Sequence, residues 1–566
     1  MLTAHACTAY HAPMTNAPLD VITFEVMSAR LDGIVREMEN AVFRTGFSTI
    51  VRESHDFSCG LMDATGRLVA RGSHPGHMGG LPACIHGLFD FHAPAGMREG
   101  DAYLASHPYH SGCPHANDMV VMTPVFWHGD LVAFAASIGH TPDIGGVAAG
   151  SRNATARDLF GEGLQIPPVR FMRDYRLEQD TATFVRANSR VPEMMIGDLT
   201  AKAGVCHTIG EARLHDLIRT YGASALLQQF DQAGDRTAHR ISEQLAAWPD
   251  GVCEVEAMVD DPSTGEPIRM HVASIKEGQR LVLDFTGTGD QATAPINLRP
   301  HFIEGLARNM AIRLTDRHIP LNHGMNDAVE CRFRRGSLLD PAFPGPVGFY
   351  SKTLALAESV IGAVMAKASG RPALAHIATQ SSIVVGYTGT KRQYVQYELM
   401  YAGAPAWDGG DGFSGVGSRA SYGAKFTSVE VIESEFPVDM TRFEVLPDSG
   451  GDGAFRGGPG YVREYRVRAP SRLSGGASKR EAAGVEGGGD GRNAWVVVHP
   501  GEEREQRYPG IVSNIGLEPG DVFRIETGGG GGALPAAARD PTRTRADIED
   551  GILTPIKARD TYGVTD

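Results

Sequence analysis

Apolar residues recur at three- and four-residue spacing through Met27, Leu31, Ile34, Met38 and Val42. A stripe of that period is one face of an amphipathic helix. Glu25, Arg36 and Glu39 lie off the stripe and Asp20 stands where an N-cap belongs, so a helix is predicted over about 21–45. From 55 to 150 the pattern shortens to runs such as DMVVMTPVF and DLVAFAASIGH, separated by Gly, Pro, Asn and Asp, which predict strands and loops. Helical spacing returns over 195–246, with Leu214, Leu217, Ile218 and Tyr221 on one face, and stops at the turn signal PDG. VCEVEAMV, RMHVASI and RLVLDFTG, with DDPSTGEP as a turn, predict a small antiparallel sheet over 252–286. A further helix is predicted over 350–369. Beyond 370 the chain is Gly-rich with short strands, and the Ser, Gly and charge of 470–492 predict a long exposed loop.

At 566 residues the chain exceeds what one core can organise. The elements predict a multi-domain α+β fold of mixed sheets and helices. Four segments are expected: a leader over 1–19, an N-terminal α/β domain over 20–250 that holds the candidate site, a β-rich middle segment with its following helix over 251–370, and a Gly-rich C-terminal domain over 371–566. The 69 glycines are more than helical bundles need and point to tight turns and close backbone approaches. A net charge of −14 argues against nucleic acid or an anionic membrane as partner, and no apolar run is long enough to span a bilayer. The seven cysteines are scattered without a CxxC pair, which is no disulfide framework and suggests the cytoplasm.

The candidate chemistry lies in SHPYHSGCPHANDM (106–119) and IGHTPDIGG (138–146). His115 and Asp118 are three apart, as are His140 and Asp143, and two strands between them could form a hairpin that sets the pairs side by side. His107, His110 and Asp56 add donors. Imidazole suits Zn or Fe, and carboxylate extends the range to harder ions such as Mn. Spacing alone leaves a metal site and a polar loop as alternatives, because HxxD is a common tetrapeptide. His86, His92, His128 and His207 read as turn or hydrogen-bonded residues, and Cys113 as structural. TGGGGGA (527–533) lacks the Lys-Ser/Thr of a P-loop and reads as a tight, close-packed turn. Asp408 and Asp411 read as part of another glycine-rich turn, Asp284 as the Asx residue of a turn, and Glu430 and Glu433 as a solvated strand face. With no GxSxG elbow and no kinase signature, any ATP site is expected on another polypeptide.

The order of motifs resembles the hydantoinase B/oxoprolinase family, which includes subunits of caprolactamase and of the acetone and acetophenone carboxylases. It is carried by ESHDFSCGLMDATGRLVARGSHPGHMGGLP, HPYHSGCPHANDMVVMTPVF, GHTPDIGG, FGEGLQIPPVRF, DFTGTGDQATAPIN, RRGSLLDPAFPGPV, TSVEVIESEFP and TGGGGGALP, spread over nearly the whole chain. The resemblance implies a separate ATPase subunit of the actin/sugar-kinase type that phosphorylates the substrate, in an (αβ)2 or larger heteromer. This chain would then hold a divalent metal (Zn, Mn or Fe) and act on the activated small molecule. Carried over residue by residue, the implied metal ligands are Asp56, His115, Asp118 and His140, with Asp143 close behind. His107 or Asp143 is expected beside these ligands, either supporting one of them or carrying a proton. One departure stands out: relatives commonly read Asn-Asp-Pro-Tyr where this chain has Ser106, His107, Pro108 and Tyr109. The expected activity is ATP-dependent hydrolysis of a cyclic amide of hydantoin, oxoproline or lactam type. A ketone carboxylase subunit and a non-catalytic scaffold are the alternatives.

Overall fold

The computed structural model describes residues 18–72, 79–378, 381–387, 393–415, 425–476 and 481–565. The leader expected over 1–19 lies almost wholly outside them, as does SHPGHM (73–78) of the motif ESHDFSCGLMDATGRLVARGSHPGHMGGLP. The fold is multi-domain α+β, with four sheets among the described residues.

The first helix, Val21–Thr45, starts where Asp20 accepts a hydrogen bond from Thr23 N at 3.0 Å, and its apolar stripe is buried. It packs on a seven-stranded antiparallel sheet whose centre is the hairpin Asp118–Trp127 and Asp130–His140, flanked by Phe57–Asp63 and Ala102–Ala105. The hairpin turns on His128 and Gly129, both at positive φ, as a two-residue primed turn requires. Helices cover both faces of this sheet. Met27, Leu31 and Met38 share a core with Phe57, Cys59 and Leu61, while Leu81, Ile85 and Leu88 pack with Met62, Met122 and Phe134 on the other side. Two-sided burial is why these strands read as continuous apolar runs rather than alternating ones. The helix Gly80–Phe91 that supplies the second cover lies inside a region predicted as strands and loops. Its Leu81, Cys84, Ile85 and Leu88 have helical spacing, but Gly79, Gly80 and Pro82 at its start read as a turn.

Residues 192–246 form consecutive helices, interrupted by a wider turn at Cys206–Glu211. The middle sheet has the expected antiparallel order Gly251–Asp260, Pro267–Glu277 and Arg280–Asp284, and Asp284 accepts from Thr286 N at 2.8 Å as its Asx residue. It gains a parallel strand, Val329–Arg332, from beyond the helix Pro300–Leu314. The helix Tyr350–Ser369 packs across this sheet through Leu354, Ala357, Ile361 and Val364.

In the C-terminal part, a four-stranded and a five-stranded sheet pack face to face through Ile383, Tyr397, Leu473, Tyr465, Val496 and Phe523. Two expectations are corrected here. Ser471–Gly476, at the start of the predicted exposed loop, is an inner strand paired on both sides, with Leu473 buried in the core. Glu430 and Glu433 lie on the helix Val429–Glu435, capped by Ser428, and Glu433 accepts from Met440 N at 2.8 Å.

The segment 527–533 is close-packed as expected, but extended rather than turned. It threads a lattice of glycine segments joined by backbone bonds, including Gly403 N to Gly528 O (2.9 Å), Gly451 N to Gly530 O (2.8 Å) and Gly532 N to Gly489 O (2.9 Å). A Cβ on Gly530 would lie 2.0 Å from Ala404 O, so only glycine lets these backbones meet. Asp411, at the lattice edge, is held by Arg539 Nη1 and Nη2 at 2.8 and 2.9 Å.

Candidate metal centre

The register of the central hairpin places Asp118 and His140 directly opposite each other, at the start of one strand and the end of the next. His115 sits one turn earlier, where its carbonyl accepts from Asp118 N at 3.1 Å. Three atoms therefore converge. His140 Nδ1 is 2.9 Å from Asp118 Oδ1, His115 Nε2 is 3.1 Å from the same oxygen, and the two ring nitrogens are 3.2 Å apart. All three side chains are buried, and this is the only such cluster of His, Cys, Asp and Glu found among the described residues.

The donor set suits a divalent cation. Nitrogen and oxygen ligands about 2.1 Å from a metal stand roughly 3.0–3.4 Å from one another, close to the separations found here. His115 Nδ1–H donates to Gly348 O at 3.1 Å, which leaves the Nε2 lone pair for the centre. Tyr350 Oη donates to Asp118 Oδ2 at 3.3 Å, which leaves Oδ1 for it. Asp56 precedes the neighbouring strand, and its carbonyl accepts from His140 N at 3.0 Å. Burial, and then the charge of Asp118, push the Asp56 carboxyl up to about 7, against the pull of Lys202 and Arg152. A buried carboxyl beside a second one is the environment a cation relieves. Burial opposes the charge on Asp118, yet the two imidazoles hold its carboxyl well below the usual carboxylate range. Burial drives His140 down to about 3, so its ring is neutral, as ligation requires.

The surround comes from widely separated stretches of the chain. Lys202 Nζ, fully buried, donates to Gly139 O at 3.1 Å. Tyr397 stacks on His140 with ring centroids 4.3 Å apart. Arg152 lies over the Phe349 ring at 4.2 Å and donates to Gly348 O at 2.9 Å. None of Lys202, Tyr397, Arg152, Gly348 or Tyr350 was singled out from sequence. They reach the centre from up to 257 positions beyond His140, as Tyr397 does, and no local pattern marks them.

The other candidates stand outside the three-atom cluster. Asp143 is fully buried with both oxygens occupied: Oδ1 accepts from Gly145 N and Arg190 N, and Oδ2 from Gly150 N and Arg190 Nη1. His107 Nδ1 accepts from Tyr109 N at 3.1 Å and His110 N at 3.2 Å, which places its proton on Nε2. Burial, then the neighbouring His110, bring His107 down to about 4. His86 and His92 face the carbonyls of Thr65 and Pro168, and His207 pairs with Glu211, in keeping with their bland reading. Cys113 lies 3.9 Å from Cys84, Sγ to Sγ, inside the core.

Comparison with known proteins agrees with this architecture. A family model described as Hydantoinase B/oxoprolinase matches residues 20–533, and the chain belongs to that family. It is 26% identical to one subunit, designated B, of a putative D-/L-hydantoinase of Pseudomonas sp. (strain NS671), over 97% of this chain and 95% of that one. It is likewise 26% identical to the beta chain of the caprolactamase of Pseudomonas jessenii, covering 96% of each. The 5-oxoprolinase 1 of Arabidopsis thaliana is 27% identical over 91% of this chain, which spans only 42% of that longer protein. Among solved structures, the ATP-dependent caprolactamase of Pseudomonas jessenii shares the fold, with a TM-score of 0.88 at 24% identity over 97% of both chains. A nucleotide-free acetone carboxylase does so with a TM-score of 0.87 at 18% identity, over 96% of this chain and 79% of that one.

Proposed function

We propose that this chain is the metal-holding subunit of an ATP-dependent cyclic amide hydrolase, acting on an intermediate that a separate ATPase subunit has phosphorylated. The observation that carries the reading is the convergence of His115 Nε2, His140 Nδ1 and Asp118 Oδ1 on one buried point. The relatives are named as single subunits of a hydantoinase and of a caprolactamase, which supports the reaction class and the need for a partner.

In this reading His115, Asp118 and His140 hold a divalent metal such as Zn, Mn or Fe, and Asp56 completes the set. The metal, when bound, supplies Lewis acidity and an activated nucleophile at neutral pH. The chain's own residues do the remaining work. Lys202 and Arg152 offset the carboxylate charge in a dry site. Tyr397 and Phe349 exclude water from it. His107, neutral with Nε2 protonated, offers a hydrogen-bond donor where relatives commonly carry Asp. Asp143, bonded to Arg190 and to the backbone of Gly145 and Gly150, serves in this reading to position the loop after His140.

The test uses the purified chain together with its ATPase partner. His115→Ala with His140→Ala should abolish bound metal by mass spectrometry and ATP-dependent opening of hydantoin, 5-oxoproline and lactam substrates. Full metal content in the double variant would overturn the centre. Bicarbonate-dependent turnover of a ketone, with no ring opening, would replace the hydrolase by a carboxylase.

A further inference from the structure

The segment Pro341–Tyr350 crosses from the middle sheet to the metal centre as a strap. Tyr109 Oη donates to Gly345 O at 2.6 Å, Asn297 Nδ2 to Pro346 O at 2.9 Å, and Phe349 N to Pro295 O at 2.6 Å. At its far end the Gly348 carbonyl accepts from both His115 Nδ1 and Arg152 Nη1. One further residue grips the strap. Glu162 ends a short turn, Leu159–Glu162, that is capped by Asp158 and stitched to the strap through Leu159 N to Pro344 O at 2.8 Å. Its Oε1 accepts from Val347 N and Gly348 N, each at 2.6 Å.

We propose that Glu162 is a positioning residue for the metal centre, fixing Gly348 so that its carbonyl holds His115 with the Nε2 lone pair turned to the metal. The assignment rests on the reading of the cluster as a metal site. Gly348 has no side chain to restrain it, so its carbonyl direction is set by what holds the peptides on either side. Phe349 N–H is fixed by Pro295 O, and Glu162 binds the two N–H groups before it. The approach is close: a Cβ on Gly348 would lie 3.2 Å from Glu162 Cδ and Oε1, so the carboxyl would have to shift by a few tenths of an ångström to admit it. A carboxyl is expensive to bury, and Glu162 Oε2 has no hydrogen-bond partner among the described residues. The hydrogen bonds this carboxyl does make go to the strap. The strap in turn reaches the centre through the carbonyl on His115 and the hydroxyl of Tyr350 on Asp118. Carbonyl partners of this kind set the tautomer and orientation of a ligating imidazole, and losing one typically weakens metal binding about 10–100-fold.

The test uses the full chain with 15N-labelled imidazoles, stripped of metal, followed by Co(II) titration. Long-range 1H–15N spectra should show His115, identified by its loss in His115→Ala, as the Nδ1–H tautomer. Glu162→Ala should mix the tautomers, weaken Co(II) about tenfold or more and alter its visible absorption, with the thermal transition retained. Glu162→Gln keeps an oxygen that accepts both N–H groups and should restore all three. If Glu162→Ala does not fold, Gly348→Ala displaces the same contact and should disturb the same His115 signals. Unchanged His115 signals and Co(II) affinity in a folded Glu162→Ala or Gly348→Ala chain would overturn the proposal. A wild-type chain that pins His115 but takes up no Co(II) would overturn the metal reading and leave the positioning role supported.

Discussion

Glu162 shows how much a single buried group can say about pH. Burial raises its carboxyl to about 8, against the opposing hydrogen bonds from Gly348 and Val347 and the nearby Arg152. The folded chain thus keeps a proton that the unfolded chain releases above the ordinary value of 4.5. Its contribution to stability is full below that value and is lost as pH rises through about 8. Wild type should therefore lose on the order of a few kcal/mol more than Glu162→Gln between about pH 5 and pH 9 in urea unfolding. Equal losses in the two proteins would show that Glu162 is ionised throughout. At this scale the histidines were the legible part of the site, because imidazole and carboxylate at close spacing advertise ligand chemistry. Glu162 was not legible: it sits in FGEGLQIPPVRF, and nothing in that string says that its carboxyl turns to residues 347 and 348.

Among the elements, the central hairpin does the most for the centre. Its two-residue turn and the one-residue register shift at Val125/Phe126 together set the pairing in which Asp118 faces His140, so a slip of one residue would send one of them to the opposite face. The hairpin is legible in the sequence because both strands are long, apolar and bounded by turn residues. The helix Gly80–Phe91 is not, because glycine and proline at the start outweigh the spacing that follows. The first helix contains a separate opportunity. Gly33 lies in its interior, half-buried, with nothing within 4 Å of where a Cβ would go. Gly33→Ala should stabilise the chain by about 0.5–1 kcal/mol, seen as a higher urea midpoint with an unchanged slope. A lower midpoint would mean that a surface the helix needs has been disturbed.

Across the whole molecule, glycine has the opposite meaning in the C-terminal lattice. Gly529 and Gly530 pass so near Ser449 O and Ala404 O that a methyl group would sit 1.8 and 2.0 Å from them. The neighbours are backbone atoms locked by their own hydrogen bonds and cannot withdraw. Gly530→Ala should cost several kcal/mol, read as loss of the cooperative unfolding transition or of soluble chain, in contrast with Gly33→Ala. A soluble variant with a wild-type transition would show that the lattice can give way.

The sequence by itself determined the α+β class, the long helices, the hairpin and the family, because these rest on periodicity, turn chemistry and motif order, which are local. It also determined which residue types could bind metal. Only the tertiary structure decided which of them converge. Asp118 and His140 meet through strand register, while Asp143, with the same spacing, is drawn off by Arg190. The strap, Tyr397 and Lys202 reach the centre through packing between distant parts of the chain, and no local pattern encodes that meeting. The glycine run, read as a turn from its composition, became a close-packed extended segment because three other glycine segments lie against it.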